Sequence, residues 1–197
     1  MVLMFILSIV GGIDFSVMGG LGISNNSVEY GITREIDFNQ SAGAPIVNIQ
    51  SGYLFDSGFR LGIDFLNTLS SFEWKAESED FQRTGSIKEG NLAVAGSYLI
   101  DAGRFRPYLG AGAGVHWGSY IYTYTADSIS LKNIDDLGQT VGLTVFCGLE
   151  VDLMQPLIVN CRLSYNHVPR TGFTGWLVED VDYMNRVDLL IGLGVRP

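Results

Sequence analysis

No segment of this chain is long and apolar enough to cross a bilayer as a helix. The one sustained apolar run, MVLMFILSIVGG at 1–12, falls short of the roughly 20 residues such a span needs. Residence in a membrane therefore requires a closed barrel, because hydrocarbon offers no partner to an open sheet edge. Charge is also scarce, at 17% of residues, against the roughly 25–35% that suits a soluble surface. What charge there is leans acidic, with 12 Lys and Arg against 21 Asp and Glu and a net charge of -9. That balance disfavours nucleic acid and anionic lipid as electrostatic partners. Two cysteines, Cys147 and Cys161, do not establish a redox compartment.

Catalytic signatures are missing too. No G-x-S-x-G, H-E-x-x-H or phosphate-binding loop occurs, so neither catalysis nor a cofactor is expected. Asp135 with Asp136, and Glu179 with Asp180 and Asp182, match no defined cation loop and read as solvated acid clusters. His116 and His167 lack Cys or carboxylate partners at ligand spacing, which leaves them structural or rim roles and no metal.

What the chain does have is alternation. In PYLGAGAGVHWG, Pro107 to Gly118, Leu109, Ala111, Ala113, Val115 and Trp117 share one parity, and Tyr108, Gly110, Gly112, Gly114 and His116 share the other. A period of two is strand geometry, and glycine on one face leaves space there. The same parity logic yields eight strands, near 11–23, 44–56, 58–68, 90–101, 105–118, 138–153, 157–167 and 183–196. Their lengths suit tilted transmembrane strands of about 9–11 hydrocarbon residues. Leu92 and Val94 against Ala93 and Ala95 give the fourth the weakest sidedness. Cys147 and Cys161 lie seven residues either side of Met154 on one parity. They face one another across neighbouring strands in that reading, as a disulfide or as lipid-facing thiols.

The connections alternate in length. Asp56–Gly58, Asp101–Arg104 and Met154–Pro156 are short and carry Asp, Gly or Pro, as hairpin turns do. Segments 24–43, 69–89, 119–137 and 168–182 are long and polar or mixed. Short turns on one rim and long loops on the other are the asymmetry of an outer-membrane barrel. Alternation alone does not say which parity faces out, so a soluble cavity-bearing barrel and an open sandwich stay as alternatives. The expected fold is thus an all-β, eight-stranded, antiparallel up-and-down transmembrane barrel with four long extracellular loops. It occupies 11–197, behind a segment at 1–10 that reads as an incomplete export signal or a strand extension.

PYLGAGAGVHWG, GQTVGLTVFCGLEVDL at Gly138–Leu153 and LLIGLGVRP at Leu189–Pro197 resemble the eight-stranded outer-membrane β-barrel domain shared by the outer-membrane protein W, opacity-protein and OmpX-like groups. The resemblance runs from about Gly12 onward and rests on glycine and aromatic patterns. It implies a bacterial outer membrane, periplasmic termini and four external loops. Its implied partners are outer-membrane lipid with lipopolysaccharide or an equivalent, and the assembly machinery. Members of these groups typically end in Phe after the final alternating strand, whereas this sequence ends Arg196-Pro197, a departure from the pattern.

With the apolar parity outward, Asp14, Arg60, Asp64, Arg106, Glu150, Asp152, Arg162, Arg186, Asp188 and Arg196 point into the lumen. An eight-stranded interior is only wide enough for side chains to fill it, so these ions should pair into a polar plug, with a narrow transfer path as the alternative. Trp74, Trp117, Tyr120, Tyr122, Phe173 and Trp176 fall near strand ends or in the long loops, as interfacial anchors or a ligand surface. The expected function is passive passage of small apolar solutes across the outer membrane, resting chiefly on the outer-membrane protein W resemblance. The alternative is an adhesin that binds a host surface protein through its loops around a plugged barrel.

Overall fold

The computed structural model describes residues 12–26, 42–75, 81–126, 129–169 and 183–196. They form eight strands, β1 Ile13–Asn26, β2 Ala42–Leu54, β3 Phe59–Lys75, β4 Phe81–Leu99, β5 Phe105–Ala126, β6 Ile129–Met154, β7 Leu157–Pro169 and β8 Tyr183–Val195. Each strand pairs antiparallel with its sequence neighbours, and β8 closes on β1. The barrel is therefore sealed, with no free edge across its closed part.

Its geometry can be read from the register. Ladder partners lead from Phe15 through Ser51, Ile63, Val94, Ala113, Leu143, His167 and Asn185 back to β1 at Asn25, ten residues along. That stagger over eight strands implies a strand tilt of about 35–45°. Because ten is even, a side chain's parity survives the circuit. Each step to the next strand along a row also climbs by about 1.25 residues toward the long-connection rim.

Parity then decides burial. On β7 every second residue from Ile158 to Val168 is buried, and the residues between are not. Val141, Leu143 and Val145 on β6 and Val187, Leu189, Ile191 and Leu193 on β8 are exposed, while Thr144, Phe146, Arg186, Asp188 and Leu190 are buried. An apolar belt encircling the whole molecule far exceeds the few hundred Å² tolerated on a soluble monomer. It suits lipid, and it removes the cavity-barrel alternative, in which the apolar parity would face in. From Phe105 to Trp117 on β5 the wall rises about 30 Å along the axis at such a tilt, enough for the apolar band and its flanking girdles.

The short turns lie where expected. Gly58 and Gly103 take φ values of 83° and 73°, the left-handed region that a Cβ disfavours. Asp101 Oδ1 accepts a bond from the Gly103 amide at 3.2 Å.

Two of the four long connections need correction. Most of 69–89 and 119–137 is strand, because β3 runs on to Lys75, β4 starts at Phe81, β5 reaches Ala126 and β6 begins at Ile129. Their polar residues suggest loops, yet Ile121, Thr123, Tyr124 and Thr125 are β-branched or aromatic residues that favour an extended chain. At the foot of the taller hairpin the ladder slips, so that Leu137 and Gly138 together oppose Gly118, a bulge at the edge of the belt. The other two connections lie mostly outside the described residues, as does the segment 1–10.

Candidate functional site

Inward parity on eight strands brings the ions together in tiers. Nearest the short turns, Arg60 on β3 sets Nε 2.6 Å from Asp14 on β1 and Nη2 2.5 Å from Glu150 on β6. Arg196, just beyond β8, contacts the other oxygen of Glu150. Tyr108 on β5 donates its hydroxyl to Asn160 Oδ1 on β7 at 2.7 Å.

In the middle tier Arg162 on β7 donates to Asp64 on β3 at 2.8 Å, with its guanidinium carbon 3.8 Å from the centroid of the Phe146 ring. In the upper tier Arg186 on β8 donates from Nη1 to Glu89 on β4 at 2.8 Å and from Nε to Asp188 at 2.7 Å. Asn166 donates to the second Asp188 oxygen at 2.7 Å, and Thr144 donates to Asn166 Oδ1 at 2.6 Å.

Strands β3 and β7, like β4 and β8, lie four apart in a ring of eight, on opposite walls. Arg162–Asp64 and Arg186–Glu89 are therefore bars across the lumen. Buried charges persist only when paired and hydrogen bonded, and these pairs fill a bore that is barely wider than its side chains.

Seven of the ten residues assigned to the lumen, Asp14, Arg60, Asp64, Glu150, Arg162, Arg186 and Asp188, are buried in this network, and Arg196 closes its short-turn end. Arg106 and Asp152 stand elsewhere. They pair at 3.1 Å in the mouth, where both side chains remain partly exposed, and Arg106 also approaches Asp101 of the turn at 3.6 Å. Parity gave their direction but not their height, and they sit too near the strand ends to reach the interior. A cavity of about 320 Å³ opens here, with Arg106, Arg196, Asp101 and Leu99 among its lining.

Glu89 was not anticipated, because the fourth strand was expected to start at residue 90. The carboxamides Asn48, Asn91, Asn160 and Asn166 are also buried, and their shared inward parity was the available signal. His116 is buried and its Nε2 lies 2.8 Å from Asn91 Nδ2.

Of the aromatic candidates, Trp117 faces out at the upper edge of the belt. Its indole covers Gly90, and its ring centroid lies 6.3 Å from that of Phe65. The strands carrying Trp74, Tyr120 and Tyr122 are described but their side chains are not, and Phe173 and Trp176 lie outside the described residues. A second girdle, absent from the sequence expectation, rings the opposite edge: Tyr53, Phe55, Phe59, Tyr98 and Phe105 are all exposed, with Tyr53 and Phe55 packed edge to face at 4.8 Å. Outward aromatics flanking the Asp56 and Asp101 turns were its signal. The cysteines do not face one another. Cys147 opposes Leu163, Cys161 opposes Leu149, and both thiols are free.

No protein-family model matches the chain. An uncharacterized protein of Haemophilus influenzae is 24% identical over 172 residues, covering 84% of this chain and 86% of its own. Among solved structures, Neisserial surface protein A superposes with a TM-score of 0.65 at 16% identity, over 95% of this chain and 98% of its own. The outer membrane protein OprG from Pseudomonas aeruginosa gives a TM-score of 0.54 at 14% identity, over 94% of this chain and 95% of its own. An apolar exterior around a charged interior is the arrangement of a membrane barrel, and these neighbours agree with the outer-membrane localisation expected from the sequence. Sealed by β1 against β8 and matched along nearly its whole length, the chain has the fold of the eight-stranded outer-membrane β-barrels.

Proposed function

We propose that this outer-membrane barrel passes small apolar solutes from the cell surface sideways into the membrane, with its lumen shut. The observation that carries the reading is the contrast between bore and rim. Ion pairs bar the bore between opposite walls, so an apolar solute following it would have to part buried charges. Above the belt β3 to β6 run on as paired strands, β3 to Lys75, β4 from Phe81, β5 to Ala126 and β6 from Ile129, a tall sheet over the mouth. A solute held against that tall sheet stands above the barred bore and beside the apolar belt, so passage sideways into the membrane avoids the buried charges.

Flux into liposomes tests this reading. Purified protein should speed entry of a small apolar solute over empty vesicles, and replacing Tyr120 and Tyr122 on the tall side with serine should slow it. A flux equal to that of empty vesicles rejects the reading.

The same tall sheet favours a second reading, an adhesin that binds a host surface protein around a plugged barrel. Specific binding to host matrix with no solute flux would select it.

A further inference from the structure

The cavity at the short-turn mouth carries charge of both signs around an apolar floor. That floor is Leu99 at the end of β4, buried with Ala95, Tyr108 and Phe146, and Leu54 at the end of β2, which packs against the same cluster. Arg106 and Arg196 supply positive charge to the lining, and Asp56 and Asp101, from two turns, supply negative charge. The Leu99 amide donates to the Gly58 carbonyl at 2.8 Å, which ties those two turns together. At about 320 Å³ the cavity sits at the small end of the roughly 300–1,000 Å³ typical of ligand sites, which combine apolar walls with a few placed polar groups.

Both guanidiniums keep donors to spare, since each has five N–H groups in a planar fork. Arg196 turns Nη2 to Glu150, but its Nη1 stands 3.7 Å from Asp152, beyond hydrogen-bond reach. Its Nε and Nη1 are buried without a hydrogen-bond partner, although buried polar atoms are normally satisfied. Arg106 gives Nη2 to Asp152 at 3.1 Å, while its Nε comes no closer to Asp101 than 3.6 Å. Carboxylates are the acceptors that such forks hold best. Asp101 lies beside Arg106 with its own side chain 80% exposed, so a place for an ammonium adjoins the place for a carboxylate. A free α-amino acid carries those two charges on one carbon, whereas a peptide separates them.

We infer that the short-turn mouth binds a free α-amino acid with an apolar side chain. Arg106 and Arg196 take its carboxylate, Asp101 takes its ammonium with Asp56 on the next turn, and Leu54 and Leu99 receive its side chain. The site lies at the other end of the barrel from the tall sheet. It needs no passage through the lumen and stands apart from the solute reading.

Isothermal titration of the full chain in detergent micelles with L-leucine tests it, with heat-modifiable gel migration as the check on folding. Leucine should bind saturably. N-acetyl-leucine and leucinamide, which each lack one charge, should bind on the order of tenfold more weakly, as loss of a charged hydrogen bond implies. Glycine, without the side chain, should also bind more weakly. Arg106→Gln and Asp101→Asn should each weaken leucine binding by a similar factor. The asparagine keeps the acceptor that holds the Gly103 amide, so the turn survives the change. Arg104→Gln, at the same rim but outside the cavity lining, should bind leucine as the wild type does. If Arg106→Gln does not fold, Asp101→Asn and the analogue series on the unaltered chain decide the matter. Absence of saturable leucine binding overturns the inference, and so does equal binding of leucine and its analogues. A folded Arg106→Gln or Asp101→Asn that binds leucine undiminished overturns it too, as does an Arg104→Gln that weakens binding as much as Arg106→Gln.

Discussion

The ring of Tyr108 occupies the space over Gly148, its direct partner across the β5–β6 ladder. A Cβ at Gly148 would meet both that ring and the carbonyl oxygen of Cys161. One of these is backbone and cannot swing aside. Gly148→Ala should therefore destabilise the barrel by about 1–3 kcal/mol, as overpacking does. Urea unfolding in detergent micelles measures this as a lowered midpoint. Tyr108→Ala in the same chain should restore only part of the loss, since the Cys161 carbonyl remains.

The pair Arg162–Asp64 makes a second case. Asp64→Ala leaves a buried guanidinium without its carboxylate, and breaking such a pair costs about 3–5 kcal/mol. Replacing both residues, as in Asp64→Leu/Arg162→Met, should recover most of that loss, because no unpaired charge then remains. Unfolding midpoints of Asp64→Leu, Arg162→Met and the double variant form a cycle. A double variant as unstable as the two single changes summed would show that the bar is not a coupled pair.

How much of this was legible beforehand follows from where lipid lies. Within the belt one face meets hydrocarbon and the other meets packed ions, so residues such as Val141 to Leu153 and Leu157 to Tyr165 alternate, with Phe146 and Ile158 as buried apolar exceptions, and all eight strands are legible. Above the belt both faces of β3 to β6 leave the hydrocarbon. Apolar alternation fades there, and polar strand reads as loop. Glu89 was lost with that boundary. Pairings across the bore were illegible for another reason: Arg162 and Asp64 are 98 residues apart in sequence, and they meet only because a ring of eight sets β7 opposite β3. The height of Arg106 likewise needed the stagger, which parity does not encode.

Lipid contact predicts the response of outward positions. Leu189 and Ile191 are among the most exposed apolar residues on β8. Ile191→Arg should cost about 2–4 kcal/mol in folding into vesicles, the depth-dependent penalty for a charge near the midplane. Lys88, exposed on the outward face of β4 near the upper edge, already carries its charge where that penalty falls to about 0–1 kcal/mol. Comparing Ile191→Arg with Lys88→Leu by urea titration in lipid should give a large loss for the first and little change for the second. Equal effects would place the belt elsewhere.

Topology gives the last prediction. The Asp101 turn joins β4 to β5 at the rim where Arg106 meets Asp152, whereas 76–80 joins β3 to β4 at the top of the tall side. These connections lie at opposite ends of the same strand, β4, so one membrane must separate them. An epitope inserted near Glu77 should be reached by antibody on intact cells, and one near Thr174, between β7 and β8, should behave alike. An epitope at Asp101 should be reached only after the outer membrane is permeabilised. Labelling of Asp101 on intact cells, with Glu77 protected, would mean that the barrel stands the other way up. The tall sheet would then face the periplasm, and a solute route from the cell surface would be lost with it.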